Sequence, residues 1–140
     1  MLLVKEEIRP AYRKNKKGDI ICIGSGIFAL EFIPKGTVVY TEGAFSQTFS
    51  YKMVLHCFPK VKQDFIYKYA TYDKVNTEWH LCTDHAHLWN HDDNANCRYQ
   101  SEEDLDMVAV RDIQIGEELT CDYREFCDNC KEGNFGFDIL

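Results

Sequence analysis

The chain has 140 residues, of which 45% are hydrophobic and 14% aromatic. That length and content suit one globular domain with its own core and exclude a disordered chain. With 16 Lys and Arg against 23 Asp and Glu the net charge is −7, which argues against direct nucleic-acid binding and suits a basic peptide partner or solubility alone.

Residues 1–10 hold only a brief apolar run before Lys5, Glu6 and Glu7, so neither a secretion signal nor a membrane span is expected. Seven cysteines in that context predict a reduced, intracellular compartment with thiols buried, metal-bound or incidental. Residues 1–19 read as an extended arm and a charged turn (Arg13, Lys14, Lys16, Lys17) closed by Gly18-Asp19. The β-branched run 20–23 predicts a strand. Gly24-Ser25-Gly26 follows, a tight turn or a close backbone approach before the apolar residues 27–30. It is not a dinucleotide fingerprint, because no third Gly and no helical pattern follow. Ile33-Pro34-Lys35-Gly36 is a turn with Pro at its second position, and residues 37–42 read as a strand.

Residues 50–57 fit neither helix nor strand decisively. Val61, Phe65, Ile66 and Tyr69 follow Pro59 at helical spacing and predict one helix over 61–70. A turn at 73–76 leads to a strand at 77–82. Strands at 98–100 and 107–110 flank an acidic turn at 102–106. Residues 113–117 form a turn of the same kind as 33–36, and the tail, 127–140, reads as irregular. Many short strands, frequent turns and one helix predict a mainly β domain.

Two polar clusters stand out from this scaffold. The first is the stretch Leu88-Trp89-Asn90-His91-Asp92-Asp93-Asn94-Ala95-Asn96-Cys97, and the second is Gly116-Glu117-Glu118-Leu119-Thr120-Cys121-Asp122-Tyr123. Together with Gly24-Ser25-Gly26-Ile27-Phe28-Ala29 and Ile33-Pro34-Lys35-Gly36-Thr37, they occur in an order and spacing that resemble the SET domain. That family consists largely of protein-lysine methyltransferases using S-adenosylmethionine. The resemblance runs over residues 20–123.

It implies a mainly β SET-domain fold: several short strands in small sheets, one or two short helices and a C-terminal pseudoknot. The expected organisation is a single domain over 1–140, with its core at 20–123 and a short tail at 124–140. It further implies that Tyr123 is the catalytic tyrosine and that Gly24, Ser25, Gly26, Asn90 and His91 hold S-adenosylmethionine. Asn96 would brace the cofactor loop. Tyr40, Tyr67, Tyr69, Tyr72, Cys121 and Phe126 are the candidates for the lysine channel. The chemistry agrees: a lysine titrates near ~10.4, so it must lose a proton before attack, and a narrow aromatic channel disfavours the ammonium form by desolvation. The implied partner is a lysine-bearing protein or peptide, with a histone tail favoured, no direct nucleic acid and no membrane; a homodimer is compatible. The implied location is the nucleus of a eukaryote, or otherwise the cytoplasm or a host cell.

The chain departs from the family in places. His87 and Leu88 stand where the family has Arg-Phe, and Asp92-Asp93 and Ala95-Asn96 where it often has Ser-Cys and Pro-Asn. Cys121 occupies a position that is commonly aromatic, which implies a roomier pocket. The tail offers Cys127 and Cys130, and Cys97 as a stand-in for a family Cys replaced by Asp93, but no fourth ligand. Zinc is therefore not expected, and Phe126, Phe135 and Phe137 would close the channel by packing. Two other readings stand beside this one. One is an inactive SET-like module that binds basic peptides. The other is a metal-dependent enzyme using His85, His87 and His91, since His-x-His on a strand would put two imidazoles on one face.

Overall fold

The computed structural model describes residues 1–43, 45–101 and 105–131. β1 (Glu6–Lys14) and β2 (Ile20–Ala29) form an antiparallel hairpin from Glu6↔Ala29 to Lys14↔Ile20. Asn15 builds its tip, its side-chain oxygen accepting from the N–H groups of Lys17 and Asp19. The Gly-Ser-Gly segment does not separate two strands, as the sequence suggested, but lies inside β2. Ala11 faces Gly24 and Tyr12 faces Cys22, so Ile23 is an extra residue. A bulge of this kind needs one residue with left-handed backbone, and Gly24 supplies it at φ +120°.

β3 (Val38–Tyr40) and β4 (Ser46–Ser50) follow. Residues 50–57, undecided from sequence, start with a Ser50 side chain that accepts from Met53 N–H at 3.2 Å, capping α1 (Tyr51–Cys57). α2 (Lys60–Tyr69) matches the expected helix. β5 (Thr71–Asp73) and β6 (Glu78–Cys82) pair with each other, and β4 joins the other edge of β6. This small layer has its own apolar cluster of Val54, Ile66 and Leu81, with Phe49, Phe58, Tyr69 and Trp79 packed on it.

His85–Leu88 is a 3₁₀ turn, capped by Asp84 accepting from Ala86 N–H. β7 (Asn90–His91), β8 (Cys97–Tyr99), β9 (Met107–Ala109) and β10 (Glu118–Cys121) complete the strands. A second 3₁₀ turn, Tyr123–Glu125, leads to one helical turn, α3 (Asp128–Lys131), where an irregular tail was expected. Part of the expected acidic turn (Glu102, Glu103, Asp104) and tail residues 132–140, with Phe135 and Phe137, lie outside the described residues. Among the described residues the strands form three small sheets, ordered β1-β2-β10-β7, β3-β9-β8 and β4-β6-β5, and no helix is long and apolar enough to cross a membrane. This is the expected mainly β architecture.

The main core joins the first two sheets through Ile27, Ile33, Val39, Met107, Ile113, Leu119 and Cys121. Burial of each large aliphatic side chain contributes about 2 kcal/mol. The two similar turns meet here: Ile33 and Ile113 pair across an isolated bridge, and Gly36 and Gly116 both adopt φ +85°.

β10 sets the position of everything C-terminal to it. It pairs antiparallel with β2 (Leu119↔Ile27) and parallel with β7 (Thr120↔Asn90, Cys121↔His91). Asn96, buried behind it, accepts from Thr120 N–H at 2.9 Å and donates to the Glu118 carbonyl at 2.8 Å; its own N–H reaches Thr120 Oγ1 at 3.2 Å. Asn96→Ala leaves the Thr120 N–H and Glu118 carbonyl unpartnered, and should lower the unfolding free energy by about 3 kcal/mol. Urea denaturation followed by tryptophan fluorescence would measure it, and a loss below about 1 kcal/mol would contradict this account of how β10 is seated.

Candidate active site

An open cleft of about 2150 Å³ is lined by Gly24, Ser25, Asn90, His91 and Tyr123, and also by Tyr40, Tyr67, Tyr69, Tyr72, Cys121 and Phe126. Gly26 and Asn96 are buried behind its wall. Why Gly26 must be bare follows from its neighbours. A Cβ there would lie 2.4 Å from Glu118 Oε1 and 2.9 Å from Asn90 Nδ2. The Asn90 amide donates to the Ser25 carbonyl at 3.0 Å and to Glu118 Oε1 at 2.7 Å, across the space that a side chain would fill. Glu118 Oε2 in turn accepts from Arg13 Nη1 at 2.6 Å. Glu118 and Arg13 were not among the expected site residues. They lie 105 positions apart, and the charge of Glu118 within its motif was the only available signal.

Tyr123 joins the two sequence clusters. Its hydroxyl donates to the Trp89 carbonyl and its backbone N–H donates to His91 Nδ1 at 3.2 Å. Because that nitrogen accepts, the proton of a neutral His91 ring sits on Nε2, 3.3 Å from Asp93 Oδ1. The His91 side chain, only 7% exposed, is thus chiefly a brace for the tyrosine turn. Asp122 caps the same turn, accepting from Arg124 N–H at 3.0 Å and from its guanidinium at 2.8 and 2.7 Å. Burial pushes the Asp122 carboxyl up, but the Arg124 contacts outweigh it and hold it below its usual range. Asp93, one of the two added carboxylates, also pairs with Arg124 at 2.8 Å, so it is part of this bracing.

The Tyr123 ring stands between His91 (centroids 5.5 Å) and Phe126 (5.7 Å), and Phe126 meets Tyr99 edge-on at 5.9 Å. Tyr40 is buried with its hydroxyl 3.4 Å from Cys82 Sγ. Tyr40, Tyr99, Phe126 and Tyr123 all pack on the main core. Tyr99 was missed by sequence reasoning, because a strand tyrosine carries no mark of the face it will line. Cys121 is almost fully buried beneath this group. Tyr67 and Tyr72 instead flank Trp79 at 5.1 and 4.8 Å, and Tyr69 packs on His87 at 5.4 Å. These three belong to the second layer, so the expected channel residues fall into two separate groups.

The alternative histidine reading needs correction. His85 and His87 lie on a 3₁₀ turn, not a strand; His85 Nδ1 is 2.9 Å from Glu6 Oε1, while His87 Nδ1 is 2.6 Å from the Asp84 carbonyl. Their rings face different partners and do not converge with His91. Cys97 is a core residue whose thiol is pushed up to about 12 by burial. The Cys130 thiol is raised by its hydrogen bond with Cys127 and then by burial. Among the described residues no group of three or more His, Cys, Asp or Glu is placed to hold a metal ion.

Burial raises the phenol pKa of Tyr40, Tyr99 and Tyr123. The folded chain therefore keeps these protons while the unfolded chain loses them above about pH 10, and stability falls as pH rises past that point. Absorbance titration at 295 nm should find three tyrosines that ionise only as the fold opens, and one fewer in Tyr123→Phe. Early, reversible ionisation of all eight tyrosines would contradict the burial assigned to them.

A SET-domain family model matches residues 24–124. No curated protein matches the sequence. Among solved structures, a Plasmodium falciparum protein described as a candidate histone methyltransferase is 19% identical, with TM-score 0.49 over 86% of this chain and 95% of that one. An apo form of Chaetomium thermophilum Polycomb Repressive Complex 2 is 17% identical, with TM-score 0.55 over 91% of this chain. Another form of that complex, autoinhibited and bound to S-adenosylmethionine, matches with TM-score 0.54 at the same identity and coverage. The chain spans 16% of the length of either matched chain, and at such identity the likeness is one of fold. The family match over most of the chain, on the fold and the cleft just described, establishes that this chain belongs to the SET-domain family.

Proposed function

We propose that this chain is an S-adenosylmethionine-dependent protein-lysine N-methyltransferase acting through Tyr123. The observation that carries this reading is the meeting of the two clusters at Tyr123: its hydroxyl bonds the residue before Asn90, and its ring lies between His91 and the aromatic group of Phe126 and Tyr99.

Gly24, Ser25, Gly26, Asn90 and His91 would hold the cofactor. The fit is supported by the bare backbone at Gly24 and by an Asn90 amide oxygen that lines the cleft and accepts from no described residue. When bound, the cofactor supplies a methyl group on a sulfonium centre. Tyr123 stays protonated because burial raises its pKa, so it is not the base. With its proton engaged by the Trp89 carbonyl, the Tyr123 oxygen would act as an acceptor for the amine N–H and aim the nitrogen at the methyl. Tyr40, Tyr99 and Phe126 would surround the lysine stem and exclude water, which favours the neutral amine. Tyr67, Tyr69 and Tyr72 would contact the peptide further out. A histone tail or another basic tail is the proposed substrate, and the net charge of −7 is compatible with it.

Tyr123→Phe removes one oriented hydroxyl and should lower kcat by about 10²- to 10³-fold, while cofactor affinity changes less than about threefold. Labelled methyl transfer to core histones, with calorimetry of S-adenosylhomocysteine binding, tests both. Equal loss of turnover and affinity would remove Tyr123 from its assigned role. Neither labelling nor binding by the wild-type chain would overturn the function.

A further inference from the structure

The Asn90 side chain has a defined polarity. Both neighbours of its amide nitrogen, the Ser25 carbonyl and the Glu118 carboxylate, can only accept hydrogen bonds. The NH₂ must therefore face them, and the oxygen must face the other way. That oxygen accepts from no described residue and is not among the buried unpartnered atoms, so it is open to the cleft that Asn90 lines. Glu118 is held in turn by Arg13 at 2.6 Å, with the two side chains only 13% and 24% exposed, leaving little water to take over either role.

We propose that Glu118 is a positioning residue that fixes the Asn90 amide with its oxygen toward the cleft and thereby selects a ligand carrying an ammonium group. This rests on the reading of the cleft as an S-adenosylmethionine site, whose amino-acid portion carries such a group. Glu118 itself need not touch the ligand. It acts through the one side chain whose two ends have opposite hydrogen-bonding sense.

Glu118→Gln keeps the shape but leaves one acceptor oxygen for two donors. The cationic Arg13 takes that oxygen, because charge-assisted bonds are the stronger. The new NH₂ then opposes the Asn90 NH₂ while the Ser25 carbonyl still requires that NH₂, so the amide loses its single satisfied orientation and its oxygen is no longer fixed toward the cleft. The probes are S-adenosylhomocysteine and its analogue with hydrogen in place of the α-ammonium, measured by calorimetry on the full chain. Wild type should prefer the ammonium form. In Glu118→Gln its affinity should fall about 10- to 100-fold, the range of a lost hydrogen bond to a charged group, while the analogue changes less than about threefold. Adding Arg13→Met frees the Gln oxygen for Asn90 and should restore the preference. Arg13→Met alone should keep it, since Glu118 still accepts from Asn90; this variant tests the inference even where Glu118→Gln does not fold. Equal losses for both nucleosides, failure of the double variant to recover, or loss of the preference in Arg13→Met would overturn the inference. Wild-type binding of neither nucleoside would overturn the cofactor reading and this inference with it.

Discussion

The structure depends on how β10 is held. Four residues, Glu118–Cys121, run antiparallel to β2 on one side and parallel to β7 on the other. A strand that short has few ladder bonds, and Asn96 adds four more from behind, to Thr120 and to the Glu118 carbonyl. These bonds are made in a buried setting, where leaving their donors and acceptors unpaired is costly. The consequence is positional. With Thr120 beside Asn90 and Cys121 beside His91, the next turn brings Tyr123 back onto Trp89 and His91.

The polar groups around the cleft share a pattern. The Tyr123 hydroxyl directs its proton to the Trp89 carbonyl, and the Asn90 amide directs both of its protons to Ser25 and Glu118. These donors are engaged with protein acceptors, which turns the Asn90 amide oxygen toward the cleft. A wall of this kind suits ligands that bring their own N–H donors or positive charge. The aromatic residues beyond Tyr123 add apolar surface without a competing acceptor charge. Histidine and carboxylate side chains nearby (His91, Asp93, Asp122) are occupied with one another and with Arg124, so they stiffen the turn that carries Tyr123.

The departures from the family pattern acquire physical meaning in this setting. Asp93 stands where the family places a zinc ligand, and here it makes an ion pair with Arg124 and lies 3.3 Å from His91 Nε2. Glu125 in the same turn bonds Arg98 and the Tyr99 N–H. These contacts tie the segment after Tyr123 to β8, while α3 lies beside β5.

Local chemistry alone made much of this protein legible. The helix over 61–70 showed in its apolar spacing, the paired Ile-x-x-Gly turns in their repeated residues, most strands in their β-branched runs, and the family in the order of its motifs. Other features were invisible because they arise from long-range contacts. The bulge inside β2 depends on its register with β1. The helical state of residues 51–57 depends on packing Val54 under β6. Tyr99 and Arg13 have nothing near them in sequence that marks them, Glu118 was marked by its motif but not as the partner of Asn90 and Arg13, and the division of the tyrosines into two groups was equally invisible. His-x-His became a 3₁₀ turn because Asp84 caps it, and Cys97 became core because β8 turns it inward. Periodicity and motif report what a residue's neighbours in sequence impose on it. Which atoms meet across 105 positions, as Arg13 and Glu118 do, is decided only when the sheets close and burial makes every polar group find a partner.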